Sequence, residues 1–252
     1  MSAAAVEVQS PSRAAIVTGG ASGIGRAVCE LLGRDGWRVA VADRDRVGAQ
    51  AVATAIGGHA FEVDVADEAS VISLFARACE VFDGTLDALA TPAGIADMTP
   101  FLDIEVATFR RVYDINVLGT FLCIREAAKR MQPGARICTV ASVAGKRGGG
   151  LSGTAAYAAS KGAVLALSRN AARVLAERGI AVNCVAPGAT ITPMLDEAFA
   201  DADHRARIEA GILMGRAGEP EEIAEAIVWL LSPRSSYVDG ETLTVDGGLM
   251  LD

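Results

Sequence analysis

Residues 13 to 25 constrain this chain more than any other stretch. Arg13 to Thr18 form a short apolar run, and Gly19, Gly20, Ala21, Ser22, Gly23, Ile24 and Gly25 follow at once. A helical apolar spacing then runs through Val28, Leu31 and Leu32 and closes at Gly36. Strand, glycine turn and helix in that order bring backbone N–H groups and the positive helix end to one point, where a pyrophosphate is held. The spacing is GxxxGxG rather than the GxGxxG of the usual dinucleotide fingerprint. A tight turn without a ligand would also use glycines, but its place after the first strand favours nucleotide binding.

The same rhythm continues along the chain. Strands are expected at 37–42, 59–63, 86–90, 135–141, 180–186 and 242–245. Helices are expected at 45–56, 67–82, 105–131, 154–178 and 219–231, the last opening with Pro220 at its first position and acids in its first turn. Seven strands with interleaved helices predict a Rossmann-like α/β fold: a doubly wound parallel sheet with helices on both faces. In such sheets ligands sit beyond the carboxyl ends of the strands, where strand order reverses. Gly19, Asp43, Gly94, Ser142 and Pro187 all fall at those ends. The 252 residues suit a single domain over 13–252 behind a flexible N-terminal tail at 1–12. Two stretches break the rhythm: the glycine-rich Gly145 to Gly153, and 188–218, which reads as a substrate lid with weak helices near 194–200 and 206–213.

Charge and composition exclude several functions. A net charge of −8 leaves no electrostatic footprint for nucleic acid or an anionic membrane. Cys29, Cys79, Cys123, Cys138 and Cys184 are scattered without CxxC spacing, which suits reduced thiols in a cytoplasmic protein. His59 and His204 stand apart from the cysteines and from acidic clusters, so no metal site is expected. Met1 to Ser12 lack the pattern of a signal peptide, and no apolar run is long enough to span a membrane.

Two further sets of residues carry chemistry. Asp43, at the end of the second strand, is placed to accept hydrogen bonds from ribose hydroxyls and to repel a 2′-phosphate, which favours NAD over NADP. Arg44 beside it is a group that could bind such a phosphate. Asp43 also reads as an N-cap for the helix at 45–56. On the helix expected at 154–178, Tyr157 and Lys161 lie one turn apart on one face. A phenol ionises near pH ~10 in water, and an ammonium beside it lowers that value, making Tyr157 a candidate acid/base with Ser142 close by. An isolated tyrosine–lysine pair at this spacing is commonly just a solvated helix face; here it has company.

That company resembles the short-chain dehydrogenase/reductase family, in its subgroup of chains of this length, and the likeness covers Arg13 to Gly248. Thr18-Gly19-x-x-x-Gly23-x-Gly25 resembles the family's cofactor turn, with Ser22 and Ile24 inside it. Asp64-Val65 resembles its adenine-contacting pair, and Asn116, Ser142, Tyr157 and Lys161 its catalytic tetrad. Asn183-x-x-x-Pro187-Gly188-x-x-x-Thr192, with Thr190, resembles its nicotinamide segment, and Asp246-Gly247-Gly248 its C-terminal signature. Where the family has Asn-Asn-Ala-Gly, this chain has Thr91-Pro92-Ala93-Gly94, which puts the asparagine's sheet-stabilising bonds in doubt.

The resemblance implies an NAD-dependent oxidoreductase interconverting a secondary alcohol and its ketone. Tyr157 would be the acid/base, Ser142 would orient the substrate oxygen, Lys161 would lower the tyrosine pKa and hold the nicotinamide ribose, and Asn116 would hold a relay water. Ala93 and Gly94 would join the cofactor site, and Lys146, Leu151 and Met194 the substrate pocket, within the stretches 93–98, 146–151 and 194–214. It also implies a homotetramer built on the helices at 105–131 and 154–178. An NADPH-dependent 3-oxoacyl-thioester reductase and a non-catalytic dinucleotide sensor are the alternatives.

Overall fold

The computed structural model describes residues 13–149 and 155–251, with the side chains of 197 and 198 left aside. Seven parallel strands form one sheet: β1 (Ala14–Thr18), β2 (Arg38–Asp43), β3 (His59–Glu62), β4 (Ala88–Thr91), β5 (Arg136–Val140), β6 (Ala181–Pro187) and β7 (Thr242–Val245). Their order is β3-β2-β1-β4-β5-β6-β7, so strand order reverses between β1 and β4. Alternate residues feed opposite faces: Ala14 and Ile16 join one core, Ala15 and Val17 the other. Covering helices on the second face are α1 (Gly23–Arg34), α2 (Arg46–Ile56) and, late in the chain, a helix at Pro220–Leu231. The first face is covered by α3 (Glu68–Val81) and by the two long helical stretches of the middle of the chain. This is the doubly wound parallel sheet that the alternation of elements predicts.

The first of those stretches departs from expectation. Instead of one helix over 105–131, α4 (Val106–Tyr113) runs into a π turn at Asp114–Leu118, and α5 (Gly119–Ala128) continues from there. A π turn inserts a residue into the helical ladder and turns a side chain inward. Here the inserted turn carries Asn116, fully buried. Gly119 is where α5 passes closest to β3's exit, since a Cβ there would lie 2.8 Å from Val65. A short helix α6 (Val143–Arg147) follows β5, and α7 (Ala155–Leu175) ends in a 3₁₀ turn at Ala176–Arg178.

The stretch 188–218 forms a small layer of its own. It contains a 3₁₀ turn (Pro193–Leu195), α8 (Asp196–Ala200) and α9 (Ala202–Ala210), before α10 (Pro220–Leu231). The second helix starts earlier than expected because Asp201 caps it, accepting from the N–H groups of Asp203 and His204. Leu195, Ile208 and Ile212 pack together with Ile191 and Phe199. A bridge between Thr190 and Gly218 closes the base of this excursion. Among the described residues no helix is long and apolar enough to cross a membrane.

Glu126 on α5 is a buried acid in a nest of bases. Lys129 Nζ lies 2.6 Å from its carboxylate, Arg130 2.8 Å and Arg125 3.1 Å. Burial works against the charge, but the hydrogen bonds from Lys129, Arg130 and Arg125 overcome it and hold the carboxyl down at about 2. A depressed carboxyl contributes stability that is present above its unfolded value and lost as pH falls toward its folded one. Because Lys129 is more than half exposed, the contribution is discounted to about 1–2 kcal/mol. Wild type is therefore expected to exceed Glu126→Gln in urea midpoint at pH 7, with the gap closing by pH 2.5. A gap that stays constant across that range would show that the charge is not what stabilises α5.

Candidate active site

Between β1 and β4 the carboxyl ends of the strands open into a cleft of about 560 Å³. Its floor is the glycine turn, which is unusually close-packed: a Cβ on Gly25 would sit 2.0 Å from the Gly19 carbonyl oxygen, and one on Gly19 would meet the Ala93 backbone at 2.8 Å. Gly19 also has φ +66°, so a side chain there would be strained as well as crowded. Ser22 at the N-cap of α1 gives no side-chain oxygen to the first-turn amides. By contrast Asp45 and Asp67 cap α2 and α3. The α1 amides are thus left to an anion from the cleft, and a dinucleotide's pyrophosphate fits them.

Every residue expected at the cofactor lines this one cleft: Gly19, Ser22, Gly23, Ile24 and Gly25 on the turn, Asp43, Arg44, Asp64 and Val65 on one side, and Ala93, Gly94, Pro187, Gly188, Thr190 and Thr192 on the other. Asp43 Oδ2 accepts from the Ala21 N–H at 3.0 Å and Oδ1 from the Asp45 N–H at 2.9 Å. It therefore braces the glycine turn and also lines the cleft. The N-cap of α2 is Asp45 rather than Asp43, because Asp45 Oδ1 reaches the amides of Val47 and Gly48, both at 3.1 Å. Next to the turn, Thr91 Oγ1 and Thr18 Oγ1 are buried without a hydrogen-bond partner among the described residues.

At the other end of the cleft stand Ser142, Tyr157 and Lys161, all buried. Ser142 follows β5 as the N-cap of α6, its Oγ accepting from the Ala144 N–H at 3.1 Å. Close approach of α6 to α7 brings it to the tyrosine, since Gly145 lies where any Cβ would be 2.6 Å from the Lys161 backbone. Ser142 and Tyr157 line the cleft together, and the Ser142 hydroxyl works toward the ionised form of the phenol. Lys161 Nζ donates to the Val140 carbonyl at 2.9 Å and lies 5.8 Å from the centre of the Tyr157 ring.

These positions correct one expectation. Lys161 is expected to make Tyr157 more acidic, but burial pushes the phenol up, with only the Ser142 hydroxyl working against it. Burial also pushes Lys161 down to about 8. The reason is that the ammonium's hydrogen bond goes to a main-chain carbonyl, while the phenol sits in a dehydrated pocket that favours its neutral form.

Asn116 does not line the cleft. Its Oδ1 accepts from the Ile95 N–H, and its Nδ2 donates to the Ile95 carbonyl and to Ser160 Oγ, all at 2.9 Å. Its own carbonyl accepts the Thr120 hydroxyl at 2.8 Å. Met194 lines the cleft, as do Leu195, Ile95, Ala96 and Met98. Leu213 and Met214, at the far end of the stretch expected to form the pocket, are instead exposed. Lys146 reaches away to β7, where its Nζ donates to Thr244 Oγ1 at 2.8 Å. Leu151 lies outside the described residues. Asn183 sits at the opposite end of β6 from the cleft, holding Val238 O and the Glu241 N–H, so it positions β7 rather than a nicotinamide.

Residues 19–250 match the family model described as enoyl-(acyl carrier protein) reductase. The chain belongs to the short-chain dehydrogenase/reductase family. Members of this family bind nicotinamide dinucleotides. This chain is 42% identical over 243 residues to a 2,5-dichloro-2,5-cyclohexadiene-1,4-diol dehydrogenase of Sphingobium indicum, covering 92% of this chain and 95% of that protein. It is 42% identical over 244 residues to the cis-4-hydroxycyclohexanecarboxylate dehydrogenase of Sinomonas cyclohexanicum, covering 94% and 96%. A crystal structure of a dehydrogenase/reductase from Sinorhizobium meliloti superposes with a TM-score of 0.89 at 36% identity, covering 95% of each chain.

Proposed function

We propose that this short-chain dehydrogenase/reductase is a cytoplasmic, NAD-dependent enzyme that interconverts an uncharged alicyclic secondary alcohol and its ketone. The observation that carries the reading is that Ser142, Tyr157 and Lys161 are buried together at one end of the cleft that the glycine turn floors. A bound nicotinamide dinucleotide supplies the hydride acceptor for the carbinol carbon. In oxidation Tyr157 Oη takes the hydroxyl proton, Ser142 Oγ orients the substrate oxygen, and Lys161 would hold the nicotinamide ribose. Asn116 supports the proton route from behind Lys161. In reduction Tyr157 returns the proton as a neutral acid, a role that its raised pKa suits.

The substrate class rests on the apolar residues that line the same cleft as Tyr157. Ile95, Ala96, Met98, Met194 and Leu195 offer no charge, and the relatives named above act on six-membered carbocycles. The same reading makes the enzyme a homotetramer, in which the exposed Val106, Phe109, Leu118 and Phe121 of the α4–α5 stretch are covered. With a charge of −8, neither nucleic acid nor a membrane is a partner. One second reading stays in view, an NADPH-dependent 3-oxoacyl-thioester reductase, which Arg44 in the cleft would serve and Asp43 opposes.

Coenzyme kinetics separate the two. With a panel of cyclohexanols and cyclohexanediols followed at 340 nm, wild type is expected to prefer NAD⁺ to NADP⁺ by about 100-fold in kcat/KM. Asp43→Asn, which keeps the shape and removes the charge, should narrow that ratio by about tenfold. An NADP⁺ preference in wild type would overturn the role given to Asp43.

A further inference from the structure

We propose that Ser160 is a positioning residue that ties the acid/base tyrosine to the wall of the substrate pocket; this rests on the dehydrogenase reading above. Ser160 is fully buried and touches neither cleft nor solvent. Its Oγ donates to the Tyr157 carbonyl at 2.7 Å and accepts from Asn116 Nδ2 at 2.9 Å. Asn116 in turn grips both backbone groups of Ile95, and Ile95 lines the cleft. The result is one unbroken chain of hydrogen bonds from the main chain of Tyr157 to the loop after β4. Both amide hydrogens of Asn116 are used in it, so nothing else in the site can replace the Ser160 bond.

A serine bonding to the carbonyl three or four residues back is ordinary in a helix. The second bond is what makes Ser160 different, because of where it leads. Ser168 in the same helix shows the contrast: its Oγ donates to the Val164 carbonyl at 2.7 Å and meets Thr139 Oγ1 at 2.6 Å. That pair ties α7 to β5, about three turns beyond the tyrosine. The two serines are chemically alike and equally buried, but only one link spans the distance between acid/base and substrate wall. The π turn exists at the right place for this link: it turns Asn116 inward at the level of Ser160, where a regular α-helix would set a different residue. Displacement of a reacting group by a fraction of an ångström is costly in rate, because proton transfer needs hydrogen-bond distance.

The test compares Ser160→Ala, Ser160→Thr and Ser168→Ala in the full chain, with NAD⁺ and an alcohol that wild type oxidises. Ser160→Ala is expected to lose about tenfold or more in kcat while its NAD⁺ dissociation constant moves less than about twofold. Ser168→Ala should keep kcat within about twofold even if its melting temperature falls as far. Ser160→Thr keeps the hydroxyl and should recover most of the rate. Should Ser160→Ala not fold, Ser160→Cys, which keeps the volume and weakens both bonds, carries the same comparison. A wild-type rate in the Ser160 variant, or an equal loss in Ser168→Ala, overturns the proposal. Failure of wild type to oxidise any alcohol would sink the dehydrogenase reading and this inference with it; an active wild type with an unimpaired Ser160→Ala sinks the inference alone.

Discussion

Replacing Tyr157 by phenylalanine is expected to abolish turnover while the enzyme still folds and binds its dinucleotide. The ring is buried, and phenylalanine fills the same space, so the change removes one oxygen and little packing. Ser142 keeps its bond from the Ala144 amide, which leaves the cap of α6 in place. What disappears is the only phenol at the Ser142 end of the cleft, and positioned acid/base groups contribute roughly 10² to 10⁴ in rate. A loss of at least about 10³ in kcat is expected, with the NAD⁺ dissociation constant within about twofold by calorimetry. The direction of the tyrosine's shift adds a second readout. With burial holding the phenol above its ordinary value, the proton is in place for ketone reduction at neutral pH, whereas alcohol oxidation needs it gone. Oxidation by wild type should therefore climb as pH rises through the alkaline range, and reduction should not. A Tyr157→Phe enzyme with near-normal rates, or two directions with the same pH profile, would move the acid/base role to another group.

How far these conclusions could be read from sequence depends on how local the cause is. Parallel strands are buried on both faces, so β1 and β2 appear as plain apolar runs, and the glycines between them announce the turn. That Gly19 to Gly25, Asp43 and Gly188 would gather around one cleft was legible for the same reason: each sits at a strand end, and topology does the rest. Features that depend on one element meeting another were not. The π turn at Asp114–Leu118 has an unbroken helical pattern in sequence, and only the fit of Asn116 between Ile95 and Ser160 explains it. Lys146 looks like a pocket residue by position, yet its amine ends on β7. Asp43 and Asp45 are both plausible caps, and geometry alone chooses the second. Tyrosine and lysine one turn apart look like a charge pair; burial and the Val140 carbonyl decide otherwise.

Lys161→Met should remove activity and raise stability together. Lys161 is 4% exposed, and burial pushes its amine down to about 8 from an ordinary value of 10.5. A lysine whose folded value is lowered costs stability wherever the unfolded chain holds it charged, and that cost is full below pH 8. From the size of the shift it is roughly 3 kcal/mol, partly contained by the hydrogen bond to Val140. Between pH 8 and 10.5 the unfolded chain binds the proton and the folded chain does not, so wild type gains stability as pH rises through that window. Methionine fills a similar volume without the charge. The variant is thus expected to unfold at higher denaturant than wild type at pH 7, with the difference shrinking toward pH 10.5. Its kcat should fall by at least about 100-fold, since the ammonium that would hold the nicotinamide ribose against the acid/base tyrosine is gone. A variant that is inactive and less stable at every pH would mean that Lys161 is held by packing and hydrogen bonding that outweigh its desolvation. A variant that gains stability and keeps its rate would mean that the buried ammonium serves no chemistry. Only the joint outcome fits a residue kept charged in the core at a cost to the fold because the reaction uses the charge.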